Sequence, residues 1–209
     1  AKTAKDPSTD YRAILERVQK MERGLEQYLF EASRRPTPGQ AKDMAKDRRV
    51  MGTLFQIGEE VRKLALNYRD FDVGAVMLAL RDVKQGDENQ NPWVVRASAN
   101  TMFAKGKDEP TKYCAEWFHF DELQDQKSGL TDLISLNIVA RPQLEDEAKD
   151  DSDKAVPLPR MTLIPCTECR RVIALLRREK RSKISDDAVI ASKQAGAPWE
   201  KIFPAGEFM

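Results

Sequence analysis

The chain's 209 residues, 41% of them hydrophobic, suffice for one full core and an added subdomain. Its 35 basic and 34 acidic side chains leave a formal net charge of +1, so no global field draws it to DNA, RNA or an anionic membrane. No stretch approaches the roughly 20 apolar residues needed to span a bilayer, and Ala1 to Asp10 lack the apolar segment of a secretory signal.

A helix is predicted over about residues 8–35. Tyr11, Ile14, Leu15, Val18, Met21, Leu25, Tyr28 and Leu29 recur at three- and four-residue steps. Ser8, Thr9 and Asp10 each offer an N-cap side chain, and Pro36-Thr37-Pro38-Gly39 ends the helix. A second helix is predicted over about 40–67, with Val50, Met51, Leu54, Phe55, Ile57, Val61, Leu64 and Leu66 on its apolar side. The two are expected to form an antiparallel hairpin, residues 1–67, added to a second unit at 68–209. Packing or oligomerisation is its simplest role, and a partner-binding or substrate-gating arm is the alternative.

From Tyr68 the period changes. Residues 71–80 form a mostly apolar run, too short for most helices, that reads as a buried strand. A polar turn at 84–91 contains Gly86, and residues 92–97 read as a second strand, completing a hairpin. After a polar loop at 105–110, Thr111 is expected to cap a helix reaching Gln126 and carrying Cys114, Glu116, Phe118 and Leu123. Residues 133–140 are a third strand. Residues 143–154 are acidic, with few apolar side chains, and read as a solvated insertion. A short strand at 161–164, a helix over 166–181 and a last strand containing 189–191 complete the chain.

The three cysteines, an odd number, argue against a pure disulfide framework. Thiolates survive best in a reducing compartment, so a cytoplasmic location is expected. Cys114-Ala115-Glu116 stands at the start of one predicted helix and Pro165-Cys166-Thr167-Glu168-Cys169 at the start of another. Cysteines three apart at a helix start present both sulfurs to one metal. A third thiolate from a second helix leaves one tetrahedral position open for water, the catalytic arrangement. A ligand, a nearby Glu and a P-C-x-x-C segment together form the zinc-deaminase signature. Zinc lowers the pKa of its water, and Glu116 is placed to move that proton. Two helix N-termini, and Arg170 beside Cys169, would offset the thiolate charge. The alternatives are a structural zinc site, unrelated buried cysteines, or a redox pair at Cys166 and Cys169.

His119, the lone histidine, is expected on the helix surface or behind the site, with contact to the pocket as the alternative. Of Trp117, Phe118 and Phe120, some must be core and one could stack on a base. Arg177, Arg178, Lys180, Arg181 and Lys183 read as a solvated helix end, with phosphate or nucleic-acid contact as the alternative.

Four segments carry a family resemblance. Tyr68-Arg69-Asp70-Phe71-Asp72-Val73-Gly74-Ala75 is similar to a Y-x-x-F-x-V-G-A first strand, followed by Cys114-Ala115-Glu116 and Pro165 to Arg170. Ile202-Phe203-Pro204-Ala205-Gly206-Glu207-Phe208 is similar to an L-L-P-x-x-F ending. In this order they resemble the cytidine deaminase superfamily over residues 68–209. The resemblance implies an α/β fold, a three-layer α/β/α sandwich around a mixed five-stranded sheet. It implies Zn2+ held by Cys114, Cys166 and Cys169, and Glu116 as proton shuttle. It also implies substrate contacts from Phe71, Asn100 and Ala115, and a homodimer or homotetramer.

The chain departs from the family's N-x-E segment, since Ser98-Ala99-Asn100 offers Asn without the Glu. Trp117 stands where free-nucleoside enzymes often have Arg. Glu109-Pro110-Thr111 is closer to the P-T segment of tRNA adenosine and nucleotide deaminases. The expected function is therefore hydrolytic deamination of a cytosine-type nucleoside, nucleotide or modified analogue, rather than ordinary free-cytidine salvage. Deamination of a base in single-stranded nucleic acid is the second expectation, and a non-catalytic zinc-stabilised interaction module the third. No membrane partner is expected.

Overall fold

The computed structural model describes residues 10–65, 71–105, 109–142, 161–162, 167–178 and 184–190. Helix α1, Tyr11–Ala32, starts at Asp10, whose Oδ1 accepts the Ala13 N–H at 3.0 Å. Helix α2, Pro38–Ala45, starts with a capping box in which Thr37 and Gln40 satisfy each other's backbone N–H. Helix α3, Arg48–Val61, starts at Asp47, whose carboxylate accepts the N–H of Arg49 and Val50. The single helix predicted over 40–67 is therefore two. Asp47 satisfies the donors of a new first turn and so starts a second helix, which a 3-10 turn at Arg62–Leu64 ends.

Strand β1, Phe71–Arg81, pairs antiparallel with β2, Trp93–Ala99, on one side. Then come β3, Thr101–Lys105, and β4, Glu109–Tyr113, which form a separate antiparallel pair. Thr111 is thus a strand residue and caps no helix. Helix α4, Ala115–Gln124, begins later, with Cys114 as its N-cap. Strand β5, Leu130–Pro142, lies antiparallel on the other side of β1. The far edge of β5 carries β6, Met161–Thr162, antiparallel, and β7, Ile184–Ile190, parallel. Helix α5, Thr167–Arg178, stands between them in the chain.

The chain is α/β, and the period-two alternation of β1 divides its core. Val76, Leu78 and Leu80 join Val18, Leu25, Leu29, Leu54 and Ile57 of α1 and α3. Ala75, Met77 and Ala79 join Phe120 and Leu123 of α4 and Cys169 and Ile173 of α5. Helices thus cover both faces, which is why β1 reads as a continuous apolar run instead of an alternating one. The helices of segment 1–67 share one core with the sheet. In β5 the register skips Ile134, which packs with the α1–α3 side while Leu133 and Leu136 pack with the other.

Two features hold α1 and α3 against the sheet. A Cβ on Gly74 of β1 would stand 2.1 Å from the Gly58 carbonyl oxygen of α3, so only glycine lets the backbones approach this closely. At the outer strand β2, the edge donors are taken by side chains. Glu22 Oε2 accepts the Ala97 N–H at 3.1 Å, Glu26 bonds the backbone at Val95, and Asn91 Oδ1 accepts the Trp93 N–H at 2.9 Å. One helical turn, about 5.4 Å, nearly matches the roughly 6.6 Å between alternate strand residues. Glu22 and Glu26 therefore reach successive edge donors and blunt a strand edge open to pairing.

Candidate metal centre

Cys114 lies between β4 and α4 in an extended conformation (φ −67°, ψ 149°), and its side chain makes no capping hydrogen bond. The first turn of α4 closes through the Trp117 N–H, donated to the Cys114 carbonyl at 3.1 Å. That turn includes Glu116. Cys169 is the third residue of α5. One ligand atom from each of Cys114, Glu116 and Cys169 lies within 4.8 Å of the other two, and all three residues are buried. Cys114 and Cys169 both carry thiols.

These three residues stand close enough to hold a metal ion. Ligands about 2.3 Å from a tetrahedral metal stand about 3.8 Å apart, within the 4.8 Å spread. Two thiolates and a carboxylate gathered away from water would repel one another, and each is costly to bury as an anion. A cation removes both costs. The N-termini of α4 and α5 add two partial positive charges. Soft sulfur beside hard oxygen suits a borderline ion.

The other predicted site residues fall unevenly. Cys166 lies outside the described residues. Arg170 belongs to α5 and Phe71 opens β1, but their side chains lie outside the description. Ala115 is fully buried as the first residue of α4. Asn100 is buried and clamped to the start of β1: its N–H donates to the Val73 carbonyl at 3.1 Å, and its Oδ1 accepts the Val73 N–H at 2.9 Å. It is joined to Cys114 through the hairpin. Thr101 pairs with Tyr113, so the residues just outside that closed base are Asn100 and Cys114.

Among the aromatics, Phe120 is core, Trp117 meets it edge-on at 6.5 Å, and Phe118 is exposed. The basic run lies beyond the described side chains of α5.

His119 is not on the surface. It is buried, and its Nε2 stands 3.1 Å from the Ala75 carbonyl and 3.0 Å from Ser98 Oγ. A carbonyl only accepts, so Nε2 carries the proton. Ser98 Oγ in turn donates to the Ala115 carbonyl at 2.5 Å. Burial pushes the His119 pKa down to about 4, against a weaker upward pull from the Ala75 hydrogen bond, so the ring is neutral near pH 7. Sequence reasoning missed Ser98. The available signal was a hydroxyl two residues before Asn100, in a strand whose other polar side chain is Arg96.

No family model, no curated protein and no solved structure matches this chain.

Proposed function

We propose that Cys114, Glu116 and Cys169 belong to a catalytic zinc centre, completed by Cys166. On this reading the protein is a hydrolytic deaminase of a cytosine-type nucleoside, nucleotide or modified analogue. The observation that carries this is the buried Glu116 carboxylate within 4.8 Å of two thiols at two helix starts. The reading includes a deaminase-type three-layer sandwich with a mixed five-stranded sheet, and assembly as a dimer or tetramer.

When bound, the metal supplies Lewis acidity and brings the pKa of water at the site toward neutrality. Glu116 takes the proton that water gives up as its oxygen bonds the amino-bearing ring carbon. The carboxyl passes that proton to the ring nitrogen, takes the second proton from the newly added hydroxyl and gives it to the amine; the C–N bond breaks and ammonia leaves as the carbonyl forms. Burial keeps Glu116 away from bulk water, so its proton passes to substrate. Asn100, next to Cys114 across the hairpin base, and Ala115 are the substrate contacts on this reading.

A second reading has its own support, because the Glu116 oxygen lies within the ligand cluster itself. As a fourth ligand it would close the site and make the zinc structural. A panel of cytosine nucleosides, nucleotides, modified analogues and single-stranded oligonucleotides, assayed for ammonia with the zinc-loaded protein, decides between them. Release from a free nucleoside or nucleotide supports the first reading. Release from oligonucleotides alone transfers the activity to polynucleotide bases. No release from any member, with zinc bound, favours the structural site.

A further inference from the structure

The N-cap and first turn of α4 carry two of the three clustered groups, Cys114 and Glu116, and Ala115 lies between them. Its carbonyl accepts the Ser98 hydroxyl from β2 at 2.5 Å. His119, one turn further along α4, holds that hydroxyl from the other side at 3.0 Å while its Nε2–H also meets the Ala75 carbonyl of β1 at 3.1 Å. Two strands and one helix therefore converge, through two side chains, on the peptide joining Cys114 to Glu116. The core on this face of the sheet is largely apolar, with Ala75, Met77, Ala79, Val94, Phe120 and Leu123, and Arg96 of β2 is a charge that acts on His119. A polar pair in such a core costs desolvation, so an apolar pair of like size would fill the space with less penalty. What the apolar pair would lack is direction, because only donors and acceptors fix the rotation of a peptide plane.

We propose that Ser98 and His119 are positioning residues that lock the Cys114-Ala115-Glu116 peptide to the sheet. The lock sets the relative placement of the Cys114 sulfur and the Glu116 carboxylate. Its consequence for metal and turnover rests on the zinc-centre reading, but the lock itself does not. Sites of this kind tolerate displacements of only about 0.5 Å, so a loosened turn weakens the centre without unfolding the chain.

The test compares wild type with Ser98→Ala, His119→Gln and His119→Leu. The Gln amide reaches the Nε2 position with a donor, whereas Leu keeps bulk and loses it. Amide hydrogen exchange is followed at residues 115–119 in metal-free protein, and cobalt(II) is titrated with its thiolate absorption as readout. Ser98→Ala should speed exchange in this turn and weaken cobalt binding about tenfold or more. His119→Leu should match it, and His119→Gln should return both values to near wild type. Unaltered exchange in Ser98→Ala, with the rest of the chain protected as before, overturns the proposal. If wild type binds no cobalt, the zinc-centre reading fails, and the exchange comparison alone decides the lock. If His119→Leu does not fold, Ser98→Ala decides by the same criteria.

Discussion

Half-buried Glu22 and buried His119 respond to pH in opposite senses. Burial raises the Glu22 pKa from 4.5 to about 7, against the smaller pulls of the Ala97 N–H and Arg96. The folded chain thus keeps a proton that the unfolded chain releases. The contribution of Glu22 is full below pH 4.5 and is lost as pH rises toward 7. Glu26, also raised by burial, adds in the same sense. For His119, lowered from 6.5 to about 4, the unfolded chain takes the proton first. Its contribution is full above pH 6.5 and is lost as pH falls toward 4. Glu22→Gln should therefore weaken the decline between pH 4.5 and 7, leaving a curve that climbs with pH under His119. His119→Gln should remove that climb. Urea midpoints measured across pH 4–7.5 check both, and parallel curves for all three proteins would contradict the assignment.

The gathering of Cys114, Glu116 and Cys169 was legible because its signal is local, a Cys two residues before a Glu and a Cys at a helix start. The pairing of Ser98 with His119 was not, because 21 positions separate them and only the β1–β2–α4 packing joins them. A lone histidine in a helix carries no sign of a partner from another element.

The meeting of α3 with β1 is the element contact most sensitive to a single atom. The Cβ of Gly74→Ala would strike backbone, the Gly58 carbonyl at 2.1 Å, and that backbone cannot rotate aside. Gly58→Ala would press on the Val139 and Val76 methyl groups at 3.0 and 3.4 Å, which can give. Gly74→Ala should cost about 3 kcal/mol or more and Gly58→Ala about 1 kcal/mol. Denaturant unfolding reads both, and equal losses would mean that the helix shifts freely over the sheet.

The long elements were predictable from their periods. Helix α1 keeps its apolar steps through Leu29, and β1 and β2 are runs bounded by a polar turn. The failures came where the period is weak. Strand β4, Glu-Pro-Thr-Lys-Tyr, has no apolar alternation, so only its pairing with β3 makes it a strand. The break at Asp47 is a contest between a capping carboxylate and helix continuation, and the apolar pattern on either side does not register it.

At the scale of the molecule, the two helical layers divide the work. Helices α1 to α3 cover one face and blunt the β2 edge, while α4 and α5 bring Cys114, Glu116 and Cys169 together on the other. Arg96 links the layers around β2, standing 3.6 Å from Glu26 of α1 and 3.5 Å from Glu122 of α4. Among the described residues, no helix is long and apolar enough to cross a membrane. Because ligands from α4 and α5 share one ion on this account, metal binding should stabilise the whole domain. Zinc should raise the thermal midpoint of wild type, and Cys114→Ser and Cys169→Ser should abolish that rise. A rise retained in both variants would place the ion elsewhere.

The role of Glu116 separates a working centre from a structural one. Glu116→Gln keeps the side chain's size and removes its capacity to carry a proton. The decisive measurement is ammonia release from the best substrate of the panel, by wild type and Glu116→Gln brought to equal zinc content. The variant should hold zinc as wild type does and release ammonia about 10²–10⁴ times more slowly. Equal rates at equal zinc would contradict that role.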